Sequence, residues 1–127
     1  MSAEFSFEAD PARDLVRIRM SGFFTTNDIR DFMAARAVAH RQLRCAPNTH
    51  FTLNDIRGMK IQSQDVVDAF REMLAGPEYR SRRLAFIVSP TLARTQLIRA
   101  IASREARCFQ DAWQAETWLF VGDAAAA

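Results

Sequence analysis

The sequence predicts an α/β fold: a mixed sheet of about five strands, opened by an antiparallel hairpin and continued by β-α-β-α-β-α units whose helices pack on the sheet. Three observations carry this reading. Two short alternating runs, Phe5-Ser6-Phe7 and Leu15–Met20, flank the turn residues Asp10-Pro11-Ala12-Arg13-Asp14, the signature of a hairpin. Leu84-Ala85-Phe86-Ile87-Val88 is a continuous apolar run, as a strand covered on both faces requires. Between and after them, helical and strand patterns alternate in the order β-β-α-β-α-β-α-β-α, which implies parallel crossovers.

Length and composition bound the rest. A chain of 127 residues with 49% hydrophobic and 25% charged content is one domain by length and ordinary globular stock by composition; its core spans about 5–120, with 122–127 read as a flexible tail. A net charge of +2 is too small to argue for a nucleic-acid partner, and none is expected. Arg80, Arg82, Arg83, Arg94, Arg99, Arg104 and Arg107 form a basic stretch whose single acid is Glu105, but Arg94, Arg99 and Arg104 stand roughly 140° apart on a helix and share no face. The stretch therefore reads as a solvated rim. No apolar run approaches the ~20 residues of a membrane span. The acidic start, Met1–Glu8, lacks the apolar segment of a secretory signal, and the expected location is the cytoplasm. Cys45 and Cys108 have neither metal-ligand nor redox spacing.

In the hairpin, Val16, Ile18 and Met20 share one face, Arg17 and Arg19 the other, and Gly22 ends it. Thr25-Thr26-Asn27-Asp28 has capping-box spacing, and a helix follows to about Arg44 with Ile29, Phe32, Met33 and Leu43 on one stripe; Arg36 and His40 project near it. His40 reads as a packing residue. The central strand is Phe51–Asp55, with His50, Thr52 and Asn54 on one side and Phe51, Leu53 and Asp55 on the other. It is less apolar than a strand covered on both faces usually is. A glycine-containing loop, Arg57-Gly58-Met59, then leads to Ser63, a good N-cap, and a helix with Val66, Val67, Phe70, Met73 and Leu74 inward, stopped by Gly76-Pro77. Ser89-Pro90 starts a third helix carrying Ala93, Leu97, Ile98 and Ile101. Arg107-Cys108-Phe109 is a last strand. Asp111 caps a final helix to which Trp113, Trp118, Leu119 and Phe120 give weight.

Ligands in open α/β sheets gather outside the carboxyl ends of the strands, which directs attention to the loop after Asp55. Asp55 could serve as a base if buried, but no second residue can be assigned to it. His40 and His50 lack metal-ligand spacing with the cysteines, and no nucleophile elbow, phosphate loop or dinucleotide fingerprint is present. No catalytic residue, metal or cofactor is expected, and the protein is read as not an enzyme. Arg94, in the first turn of the third helix and in the same sector as Leu97, Ile98 and Ile101, either snorkels at the rim or reaches this loop to grip an anion.

The hairpin ending in Gly22, the Thr-Thr-Asn-Asp helix start, Leu53-Asn54-Asp55-Ile56-Arg57-Gly58, Leu84–Val88 and the closing Cys108-Phe109-Gln110-Asp111…Trp118-Leu119 together resemble the SpoIIAA-like branch of the STAS (sulphate transporter and anti-sigma-factor antagonist) domains, over about Phe5 to Phe120. The resemblance implies a non-enzymatic regulator. In such antagonists a serine opening the helix after the central strand is phosphorylated by a partner kinase, and the dephosphorylated protein binds that anti-sigma kinase. Asp55 matches the acidic residue ending the strand, Gly58 the loop glycine, and Ser63 falls near the phospho-acceptor, with Arg57 and Met59 in the same switch loop. The chain carries Gln62-Ser63-Gln64 where the family pattern is Asp-Ser followed by Gly, so Ser63 is a switch or only a cap.

Two functions are therefore expected. One is a regulatory domain acting through protein partners, an anti-sigma kinase among them. The alternative is a small-molecule module of the same fold, with an apolar pocket near Met59, Ile61, Phe23 and Phe24 and Arg94 or Arg57 holding an anionic head group. Phe23 and Phe24 line its entrance or belong to the core. A homodimer is the expected assembly.

Overall fold

The structure, a computed structural model, describes residues 2–89 and 106–122. The helix expected from Pro90, with Ala93, Arg94, Leu97, Ile98, Arg99, Ile101 and Arg104, lies outside the described residues, as does the tail from 123.

Strand β1 (Glu4–Asp10) turns through a 3-10 segment (Pro11–Arg13) into β2 (Leu15–Gly22), and the two pair antiparallel with Phe7 opposite Ile18. Asp14 closes the turn in the left-handed region, φ 52°, which a short polar side chain tolerates. Helix α1 (Thr26–His40), β3 (Phe51–Met59), α2 (Gln64–Ala75), β4 (Arg83–Ile87), β5 (Ala106–Phe109) and α3 (Ala112–Val121) follow. The sheet runs β1-β2-β3-β4-β5, and every pair after the first is parallel. Because neighbouring parallel strands follow one another in sequence, right-handed crossovers place α1 and α2 on the same face.

That face is the larger core. Val16, Ile18 and Met20 of β2, Ile56 of β3 and Leu84 and Phe86 of β4 pack there against Ile29 and Phe32 of α1 and Val66 of α2. Phe24, fully buried, joins Phe5, Phe32 and Phe70 at ring separations of 6.3, 6.5 and 5.6 Å; burying a phenylalanine contributes roughly 2–3 kcal/mol. The opposite face carries Leu15, Leu53, Ala85 and Ile87 against Ala115, Trp118 and Leu119 of α3. Arg17 on this second face pairs with Glu116 of α3 at 2.9 Å.

Several local expectations shift. Helix α1 ends at His40 rather than about Arg44, and Met33 turns to solvent, 44% exposed, leaving Ile29, Phe32 and Ala39 as its buried face. Trp113 is likewise outside, 73% exposed. The largest change is in β3. Arg57-Gly58-Met59 is not a loop: the strand runs on to Met59, Arg19 pairing with Asp55 but Ser21 with Gly58. Three steps on β3 thus match two on β2, a bulge. The extra residue reverses the alternation, so Met59 joins the α1/α2 face that Ile56 occupies.

Candidate functional site

At the carboxyl ends of the strands, the expected switch residues are tied into structure. The Asp55 carboxylate accepts from the Arg57 backbone N–H (3.1 Å) and from its Nε (3.0 Å) and Nη2 (2.7 Å). These bonds hold Asp55 below the usual carboxylate range, the wrong direction for a general base at neutral pH. They also occupy the Arg57 guanidinium. Gly58 is required by contact: a Cβ there would lie 2.8 Å from Ser21 Cβ.

Gln62 does most to shape this end. Its side chain is buried, 7% exposed. Oε1 accepts from the Phe24 N–H at 2.8 Å, and Nε2 donates to the Gly22 carbonyl at 3.0 Å and also to that of Lys60. With the Lys60 N–H on the Gly22 oxygen at 3.1 Å, the β3–α2 loop is laced to the β2–α1 loop. Ser63 stays exposed, its hydroxyl capping Val66 N–H at 3.3 Å. Phe23 and Ile61 face outward, 42% and 51% exposed, while Phe24 belongs to the core.

Behind this laced end, between α1, α2 and the sheet, lies a cavity of about 110 Å³. Its floor is Ile18, Met20, Ile56, Leu84 and Phe86, and its walls are Phe32 from α1 and Val67, Phe70, Met73 and Leu74 from α2. Met59, Lys60 and Gln62 close one end; Arg36, His40, Glu78 and Tyr79 line the other. Of the residues expected around a pocket, Met59 lines it; Phe23, Phe24, Ile61 and Arg57 do not.

Besides the polar residues at its two ends and the buried Ser81, polar groups enter this lining from one strip of β3 and one turn of α1. Thr52 and Asn54, 6% and 8% exposed, face the cavity. Asn54 Oδ1 and Arg36 Nε are buried and have no hydrogen-bond partner among the described residues. The Arg36 guanidinium lies over the Tyr79 ring, 5.1 Å from its centroid, and burial pushes its pKa down without discharging it.

At the same end, His40 Nδ1 is 2.6 Å from the Arg36 carbonyl and His40 Nε2 is 3.2 Å from His50 Nε2. A carbonyl only accepts, so Nδ1 carries the hydrogen; neutral His40 then offers Nε2 as acceptor, and His50 donates from Nε2. Burial lowers the His40 pKa. The Tyr79 ring stands 4.7 Å from that of His40. Among the described residues no three His, Cys, Asp or Glu side chains are grouped to hold a metal, and no helix is long and apolar enough to cross a membrane.

The sequence alone does not mark Arg36, Asn54 and Tyr79 as site residues. The signal was there in part: Thr52 and Asn54 on a strand face that ought to be apolar, and Arg36 and His40 beside an apolar helix stripe.

No protein-family model matches the chain, and no curated protein matches it. Its structure is similar to the crystal structure of an uncharacterized DUF3478-family protein with a SpoIIAA-like fold from Shewanella loihica PV-4, with a TM-score of 0.69 and 17% identity over 93% of this chain and 94% of that one. The chain has a SpoIIAA-like fold.

Proposed function

We propose that this protein is a non-catalytic SpoIIAA-like module that binds a small, largely apolar molecule in the cavity between α1, α2 and the sheet. The observation that carries this reading is Asn54 Oδ1, an acceptor buried against an apolar cavity and left without a partner among the described residues. A buried unsatisfied polar group costs about 1–3 kcal/mol, and native proteins retain few of them without a purpose. One water, whose share of liquid volume is about 30 Å³, would leave most of the 110 Å³ unfilled.

Titration of methyl-labelled protein with benzene, a probe that apolar cavities of about 150 Å³ accept, tests the site. Shifts at Ile18, Ile56, Leu74 and Leu84 methyls are expected. Shifts confined to Val38, Ile61 or Val121, all exposed, would contradict it.

A second reading rests on the exposed Ser63 hydroxyl at the start of α2. A helix N-terminus accommodates a phosphate, and the exposed Phe23 and Ile61 on the adjoining loops give a protein partner apolar surface to cover. A cognate anti-sigma kinase with ATP should add one phosphate; equal labelling of Ser63→Ala would remove the site.

A further inference from the structure

We infer that the cavity takes a short-chain hydroxy carboxylate, its carboxylate on Arg36 and its hydroxyl donating to Asn54. The inference rests on the cavity being a binding site and adds what the occupant must present.

Size comes first. A cavity of about 110 Å³ is of the same order as one that holds benzene, so the occupant has about five to seven non-hydrogen atoms. A long acyl chain would extend beyond the cavity. The lining is mainly Ile, Leu, Met, Phe and Val, so most of those atoms are carbon.

The two orphan atoms fix the rest. Arg36 Nε–H is a donor and calls for an acceptor; Asn54 Oδ1 is an acceptor and calls for a donor. A plain carboxylate meets only the first demand. An alcohol meets both hydrogen-bonding demands in turn but brings no charge. Arg36 makes no ion pair among the described residues: Glu78 acts on it through space without coming within ion-pair distance. A half-buried guanidinium of this kind favours an anion, and hydrogen bonds to charged groups are the stronger ones. A hydroxy acid of about four carbons supplies charge, acceptor and donor within the allowed size.

Isothermal titration of the full chain with 3-hydroxybutyrate, butyrate, 1-butanol, dodecanoate and benzene decides the matter. The expected order is 3-hydroxybutyrate tightest, butyrate about tenfold weaker for want of the hydroxyl, and 1-butanol weaker again by a similar factor. Asn54→Leu should make 3-hydroxybutyrate and butyrate equal, and Arg36→Met should erase the advantage of butyrate over 1-butanol. Benzene binding by both variants would show that they remain folded; if either fails to fold, the wild-type order still decides.

Butyrate binding as well as 3-hydroxybutyrate, dodecanoate binding best, or 1-butanol matching the acids would each overturn the hydroxy-acid assignment. Benzene bound with no preference for any acid would overturn it while leaving the cavity as a site. No binding by any probe, benzene included, would overturn both.

Discussion

The loop that follows β3 and the cavity behind it are built from the same strand, yet they treat polar groups in opposite ways. In the loop, Gln62 satisfies Phe24 N–H and the Gly22 carbonyl, and near the end of the strand before it Asp55 is closed on Arg57. In the cavity, Asn54 and Arg36 each keep a buried atom open. A satisfied buried group contributes to stability, whereas an open one costs stability and is available to something else. By that measure the loop is scaffold and the cavity is the site.

The sharpest way to break this contrast is to substitute on the two sides and compare signs. Gly22→Ala attacks the scaffold most severely: φ is +82° and an added Cβ would come within 2.2 Å of the Ser2 oxygen. A loss on the order of 3 kcal/mol is expected in urea unfolding. Gln62→Leu strands the Phe24 N–H and should cost about 2 kcal/mol by the same measurement. Asn54→Leu should do the reverse. It replaces an orphan acceptor with an apolar side chain of the same branching, whose extra bulk the cavity can take, and thermal unfolding should show a gain of about 1 kcal/mol; a loss as large as that of Gln62→Leu would erase the distinction between the regions.

Acid sharpens the comparison further. Burial holds His40 below the ordinary histidine value, so the unfolded chain takes up that proton first. Stability should fall as pH drops below about 6.5, and the fall should level off once the folded ring is itself protonated. The effect should be absent in His40→Gln. Asp55 acts lower. Its contribution is complete above about pH 4 and disappears as pH falls through the depressed value of the folded state. With Arg57 half exposed, it amounts to a few tenths of a kcal/mol at about the scale of surface ion pairs, read as the difference between wild type and Asp55→Asn.

How much of this was legible in the sequence follows from the range of each interaction. The succession of strands and helices along the chain, the Thr25–Asp28 capping box, the Ser63 and Asp111 caps and the hairpin faces are local patterns and are legible directly. The bulge in β3 is not, because it depends on the register with β2; local pattern alone reads Arg57–Met59 as a loop. Gln62 looked like a departure from a family motif; its role is a bond to a backbone group far away in sequence. The polar strip on β3 and the Arg36/His40 turn on α1 were each visible by periodicity. That they face one another across a cavity is a tertiary fact, decided by how α1 and α2 lie on the sheet.

The central claim is that the cavity, rather than the loop, is where this protein meets its ligand. A crystal structure of the protein grown with 3-hydroxybutyrate tests it most directly. The account predicts ligand density between α1, α2 and the sheet, within hydrogen-bond distance of Arg36 Nε and Asn54 Oδ1. A cavity closed by its own side chains, or density only beside Asp55 and Ser63, would contradict it.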